Sequence, residues 1–315
     1  MNTHPSLAEL LAPYRSISII GMAKNTGKTS TLNYLIQAFH RTNVSLALTS
    51  IGRDGESVDV VTQTDKPRIF VFSGTLIATT ELLLPLCDIT KKVVHVSNFN
   101  TPLGRVVLVE ALSDGFVQLG GPSITAQVLE LLEHVPLKNC IDKVIVDGAI
   151  DRKSFASPDV TEATVLCTGA ALSPSMNTVL EETRHTVRLL TLQRFEDAAL
   201  LRELKSMSDE KVSVVRNYRY IRGSVTDSLV SELVLSNNDS GIVLIAEDAS
   251  KVFIKPAMYE KLTLRKAELF VQTPIHVAGV TVNPFSPYHA GFDPADFLQK
   301  MQDIIPVPVY DIGAQ

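Results

Sequence analysis

The stretch "GMAKNTGKTS", residues 21–30, fits the pattern G-x-x-x-x-G-K-[ST]. A pattern with four free positions arises by accident often enough that its flanks decide how it is read. "RSISIIGMA" (15–23) is a short apolar run, rich in β-branched residues and stopped by glycine, which predicts a buried strand. "KTSTLNYLIQAFHRTN" (28–43) sets Leu32, Leu35, Ile36 and Phe39 at helical spacing. A strand entering the loop and a helix leaving it is the context the pattern requires.

The chemistry follows position by position. Gly21 and Gly27 allow dihedrals and close approach that a side chain would block. Successive N–H groups of Lys24, Asn25, Thr26, Gly27, Lys28 and Thr29, with Ser30 behind them, can converge on phosphate oxygens at a helix N-terminus. Lys28 would reach the β- and γ-phosphates, and the Thr29 hydroxyl would ligate Mg²⁺. The plain alternative is a strand–helix turn with a solvated lysine.

A second acid is needed for the metal, and "VIVDG" (144–148) supplies Asp147 at the end of an apolar strand; the alternative is a cap or turn residue. "TSIGRDGESVD" (49–59) follows the second expected strand, at the sheet edge where ligands of open α/β sheets bind. Asp54 there is a candidate metal ligand or nucleophile-orienting acid, with Arg53 and Glu56 beside it; a polar D-G turn explains it as well. The candidate catalytic set is Lys28, Asp54 and Asp147, and the candidate metal set is Thr29, Asp54 and Asp147.

Outward from the loop, strands are expected at 44–50, 67–74, 91–99, 142–151 and 162–172. Helices are expected at 75–86, 122–135 and 174–188. "GRVVLVEAL" and "GFVQLGG" flank Ser113-Asp114 as an antiparallel hairpin. Alternating strands and helices predict an α/β fold: a mostly parallel sheet with helices on both faces, plus a smaller α/β C-terminal region. The division is drawn at 1–190 and 191–315.

In "QLGGPSITAQ" (118–127) a second anion site around Ser123 competes with an ordinary helix start at Pro122. Asp151, Arg152 and Lys153 are either near the γ-phosphate or solvated. Asn283 in "TVNPFSP" is a substrate contact or part of a stiff turn, and His95 reads as a core histidine.

The net charge of −5, with no Lys/Arg cluster, argues against nucleic acid. Cys87, Cys140 and Cys167 are odd in number and widely spaced, as buried thiols rather than disulfides or metal ligands. No N-terminal apolar h-region and no apolar 20-mer is present, which predicts neither export nor a membrane span and makes the cytoplasm the expected location.

With "GMAKNTGKTS", "TSIGRDGE" and "VIVDGA" in view, the chain resembles the SIMIBI class of P-loop NTPases over residues 15–190. The nearest branch holds the molybdenum-cofactor protein MobB, dethiobiotin synthetase and the cobyric acid synthases. The resemblance implies that Gly21, Gly27, Lys28 and Thr29 bind phosphate and Mg²⁺ and that Asp147 serves the metal. It departs from the class at Ala23, five residues before Lys28, where the signature lysine would stand; Lys24 lies one residue later. No N-K-x-D guanine-reading motif follows Asp147, which tilts the base toward ATP over GTP. The class implies an accessory, maturation or reactivation NTPase for a metabolic cofactor enzyme, a cobalamin-dependent aminomutase among the partner enzymes, with a homodimer open. Its metabolic branch implies an ATP-dependent ligase or kinase for a small carboxylate. A nucleotide-binding switch or scaffold with negligible turnover is the third reading.

Overall fold

The computed structural model of the chain describes residues 5–50, 52–54, 68–122, 127–128, 130–131, 141–149, 156–207, 210–235 and 241–314. A short helix, α1 (Leu7–Leu11), opens it behind a capping box in which Ser6 and Glu9 bond each other's backbone N–H. The strands that follow are β1 (Ser16–Gly21), β2 (Leu46–Ser50), β3 (Gly52–Asp54), β4 (Ile69–Val71), β5 (Leu76–Thr80), β6 (Lys91–Thr101), β7 (Gly104–Ala111), β8 (Gly115–Val117), β9 (Leu119–Gly121), β10 (Lys143–Ala149) and β11 (Ala163–Gly169). Helix α2 (Lys28–Arg41) joins β1 to β2. Further on come β12 (Val212–Val215), β13 (Tyr218–Ile221), β14 (Val225–Thr226), β15 (Val243–Asp248), β16 (Val252–Phe253), β17 (Glu268–Thr273), β18 (Val277–Asn283) and β19 (Val309–Asp311).

Nine strands form one sheet in the order β19-β18-β11-β1-β10-β2-β5-β7-β6. From β19 to β5 all neighbours run parallel. Only β7 runs against its neighbours β5 and β6. Strands buried on both faces must be apolar throughout, which is why β1, β2 and β11 read as unbroken runs rather than alternating ones. One face packs Ile17, Ile19, Leu46, Leu48 and Ile145 against Leu32, Leu35, Ile36 and Phe39 of α2 and Leu7 and Leu11 of α1. The other packs Ala47, Leu76, Val106, Leu108, Val144 and Val146 against Val128, Leu131 and Val160.

Several expectations change. Residues 75–86 are not a helix: β5 is a strand with all five residues buried, followed by a single 3-10 turn at Leu84–Leu86. A short apolar run cannot announce its period, and here the slot between β2 and β7 decides it. No hairpin forms about Ser113-Asp114. Instead β7 turns back on β6 through Gly104, at φ 89°, while β8 pairs with β4 and β9 with β3. Ser113 and Asp114 accept hydrogen bonds from Thr90 N and Ser73 N, so they join neighbouring loops. His95 is not in the core, because β6 is an edge strand with Val93, Val94 and Val96 exposed. The expected helix 122–135 lies largely outside the described residues; 127, 128, 130 and 131 are helical. Cys87 and Cys167 are free and buried, and Cys140 lies outside the described residues.

The chain forms two compact units, 1–180 with 277–315, and 181–276. The sequence-drawn division at 190 therefore falls differently: β18 and β19 return to the large sheet, because "HVAGVTVNP" is as fully apolar as the other buried strands. In the inserted unit β13, β15 and β17 run parallel, with β12 antiparallel at one edge. Leu204, Tyr220 and Ile245 form one cluster of its core. Among the described residues no helix is long and apolar enough to cross a membrane.

Lys143, at the start of β10, is 6% exposed, and its Nζ donates to the carbonyls of Leu11, Ala12 and Tyr14 at 3.2, 2.7 and 2.7 Å. Burial holds its pKa below the ordinary lysine value. Those carbonyls belong to the end of α1 and the turn after it, so the lysine anchors α1 to the sheet. Lys143→Met keeps the stem and strips the donor, and should lower stability by about 3 kcal/mol in urea unfolding. A loss below about 0.5 kcal/mol would mean that water replaces the lysine without cost.

Candidate functional site

Gly21 ends β1, and the chain then turns through residues 22–27 into α2. Asn25 at φ 62° and Gly27 at φ 90° are both in the left-handed region. Thr26 Oγ1 donates to Ala23 O at 2.9 Å across the turn, and Met22 N donates to Cys167 O at 2.9 Å on β11. The glycine at 21 is required by what lies on it. A Cβ there would stand 2.7 and 2.8 Å from Lys28 Cγ and Cδ and 2.8 Å from Thr26 Oγ1. The stem of Lys28 is folded back across the end of β1.

That path brings Lys28 Nζ to 3.5 Å from Asp147 Oδ1. The carboxylate side chain is fully buried and that of the lysine 18% exposed. Adjacency of strands makes the meeting possible. β10 lies directly beside β1, with Asp147 level with Ile19 on one side and with Ser50 of β2 on the other. Level with Asp147 on β2, Ser50 Oγ is buried and has no hydrogen-bond partner among the described residues; Thr49 Oγ1 is likewise unbonded but points to the other face of the sheet. Buried hydroxyls are nearly always bonded, so the Ser50 hydroxyl level with a buried carboxylate marks a polar position that the described residues do not fill.

Helix α2 has fourteen residues and carries no acid in its first turn, so nothing of its own neutralises its N-terminus. The loop, the helix start and the Lys28 cation together favour an anion. Among the described residues no group of three His, Cys, Asp or Glu side chains could hold a metal. A divalent ion at this place would draw on few protein ligands, the habit of magnesium, which takes the rest from water and phosphate.

Lys24, Asn25, Thr26, Gly27, Lys28, Thr29 and Ser30 are contiguous on the loop and the first turn of α2, with Lys24 and Ser30 exposed. The fold adds Asp147. Of Asp54 and Arg53 only the backbone is described, in β3 opposite Leu119 and Gly120 of β9. Glu56, Ser123, Asp151, Arg152 and Lys153 lie outside the described residues. The glycines of "QLGG" are explained by packing: a Cβ on Gly121 would stand 1.9 Å from Ser50 O, and one on Gly120 2.8 Å from Leu83. A cavity of about 440 Å³ flanks α2 between Asn33, Arg41, Arg68, Phe70 and Phe116, and does not include Lys28 or Asp147. Sequence reasoning undervalued Asn283, whose side chain reaches the loop at Asn25. The signal was present, since an apolar strand ending in a polar residue is the same pattern that singled out Asp147.

No protein-family model, no curated protein and no solved structure matches the chain.

Gly21→Ala forces either the Lys28 stem or Thr26 to move. It should cost about 2 kcal/mol in denaturant unfolding, and unchanged stability would show that the stem does not rest on residue 21.

Proposed function

We propose that the chain is a magnesium-dependent nucleotide hydrolase, with ATP ahead of GTP, serving as an accessory or reactivation factor for a metabolic cofactor enzyme. The observation that carries the hydrolase reading is the Lys28–Asp147 pair at 3.5 Å, set at the end of a glycine-bearing strand–helix loop. A cation for phosphate and an acid for the metal then stand within one ion-pair distance. The accessory role rests on the SIMIBI resemblance.

In this reading the loop N–H groups hold the phosphates, and Lys28 exchanges its bond to Asp147 for one to phosphate oxygen. Thr29 and Asp147 hold the ion, and Ser50 offers its idle hydroxyl to the ion's water shell. Bound there, the magnesium–nucleotide complex supplies a phosphoanhydride and the neutralisation of charge that transfer to water demands. Asp54 keeps its place as the candidate for orienting that water. The ligase or kinase reading needs substrate groups beside Asp147. Of the two stretches that offered them, Gln118–Gly121 has its glycines committed to packing on β2 and Leu83; 123–126 and 151–154 lie outside the described residues.

The test is phosphate release from ATP and GTP with Mg²⁺. Lys28→Ala should lower turnover by about a hundredfold or more and weaken nucleotide binding. Asp147→Asn should lower Mg²⁺-dependent turnover comparably while changing affinity by less than about tenfold. Turnover that survives Lys28→Ala removes the reading.

A further inference from the structure

Asn283 ends β18, level with Gly169 on β11. A Cβ on Gly27 would stand 3.2 Å from Asn283 Cβ; one on Gly169 would stand 2.9 Å from the same atom and 2.4 Å from Asn283 O. Two glycines from separate elements thus leave a seat one side chain wide. From it Asn283 Nδ2 donates to Asn25 O at 2.9 Å, while its Oδ1 accepts from Phe285 N at 3.2 Å.

Asn25 is the loop's non-glycine residue at positive φ, a conformation that asparagine tolerates but that surrounding contacts must hold. Its own side chain donates to Tyr288 Oη at 3.2 Å. The segment carrying Tyr288 is closed by Phe292 N donating to Pro284 O at 2.9 Å. Thr281, two residues before Asn283 and so on the same face of the strand, shares a 3.0 Å hydrogen bond with Thr31 of α2. β18 is therefore tied to the loop and to its helix at two successive levels.

In a planar trans peptide the C=O and the next N–H point in opposite directions. Holding the Asn25 carbonyl toward β18 turns the Thr26 N–H away from β18, and that N–H is one of the loop's candidate phosphate donors. We propose that Asn283 is a positioning residue, which acts through the Asn25 carbonyl to keep the Gly21–Lys28 loop in its anion-accepting shape. The ligand in this inference rests on the nucleotide reading above; the positioning does not.

Asn283→Ala keeps the Cβ against Gly27 and removes the amide, and Asn283→Asp keeps the acceptor and removes the donor. Two measurements on the full chain decide the matter: amide hydrogen exchange over 22–39 without ligand, and binding of inorganic tripolyphosphate and of ATP, each with Mg²⁺. Both variants should speed exchange at 23–28 about tenfold while leaving 31–39 unchanged, and weaken tripolyphosphate and ATP by the same factor of about ten. Tyr288→Phe should give a smaller change in the same direction.

Weakened ATP with unchanged tripolyphosphate would overturn the inference in favour of a contact to the base. Faster exchange across all of 22–39 would reduce Asn283 to a structural role, and no change in either measurement would remove it. If the unaltered protein binds neither ligand, the nucleotide reading falls, and the exchange pattern alone decides the positioning.

Discussion

Lys28 reaches Asp147 only because residue 21 has no side chain and because β10 lies beside β1 with no strand between them. Either condition alone is insufficient. With a Cβ at 21 the lysine stem or Thr26 would have to shift from its present place; with another strand between β1 and β10 the carboxylate would lie a further strand spacing away, beyond the reach of an ion pair. The parallel order of the large sheet therefore does more than bury apolar surface. It gathers the carboxyl ends of β2, β10, β1, β11 and β18 on one edge, where Ser50, Asp147, Gly21, Gly169 and Asn283 become neighbours.

β10 carries two buried charges, and they differ in kind. Lys143 at its start is satisfied by three backbone carbonyls, which use all three of its donors. It needs no ligand to justify its burial and reads as an anchor for α1. Asp147, two residues before its end, is paired at 3.5 Å with the lysine that opens α2, and the buried Ser50 hydroxyl, unbonded among the described residues, stands level with it on β2. A buried ion pair contributes little stability by itself after desolvation. Its placement level with an unbonded hydroxyl sets it apart from Lys143, whose donors the backbone satisfies. Cys167 belongs with the anchors: burial pushes its thiol up to about 11, and it bonds Thr31 beneath α2 at 3.6 Å.

Most of the sheet was legible because its strands are buried on both faces, and continuous runs such as "SISII" and "ATVLC" have no competing interpretation once glycine or a polar residue closes them. "LIATT" was misread because an apolar run beside "ELLLPL" satisfies a helix equally well, and only its neighbours β2 and β7 force it extended. Strand pairing beyond the next neighbour was not legible either. The spacing of "GRVVLVEAL" and "GFVQLGG" permits a hairpin, but the first pairs with β6, the strand just before it, and the second with β4 and β3, which lie further off in sequence. At the site, Gly21 through Ser30 could be read directly because the residues are contiguous. Lys28 with Asp147 required the guess that two strands adjoin. Asn283 required knowing that a strand more than a hundred residues after β11 returns to its side, which no local pattern encodes.

That return bears on the loop as well. The inserted unit, 181–276, is bounded in the chain by β11 and a connecting helix on one side and by β18 on the other. Both bounding strands touch the loop: β11 through Cys167 O accepting from Met22 N, and β18 through Asn283. The shorter covalent path from the insertion to the loop is the length of β18, Val277 to Asn283, an extended strand. β18 thus begins at the boundary of that unit and ends in the side chain that holds a loop carbonyl.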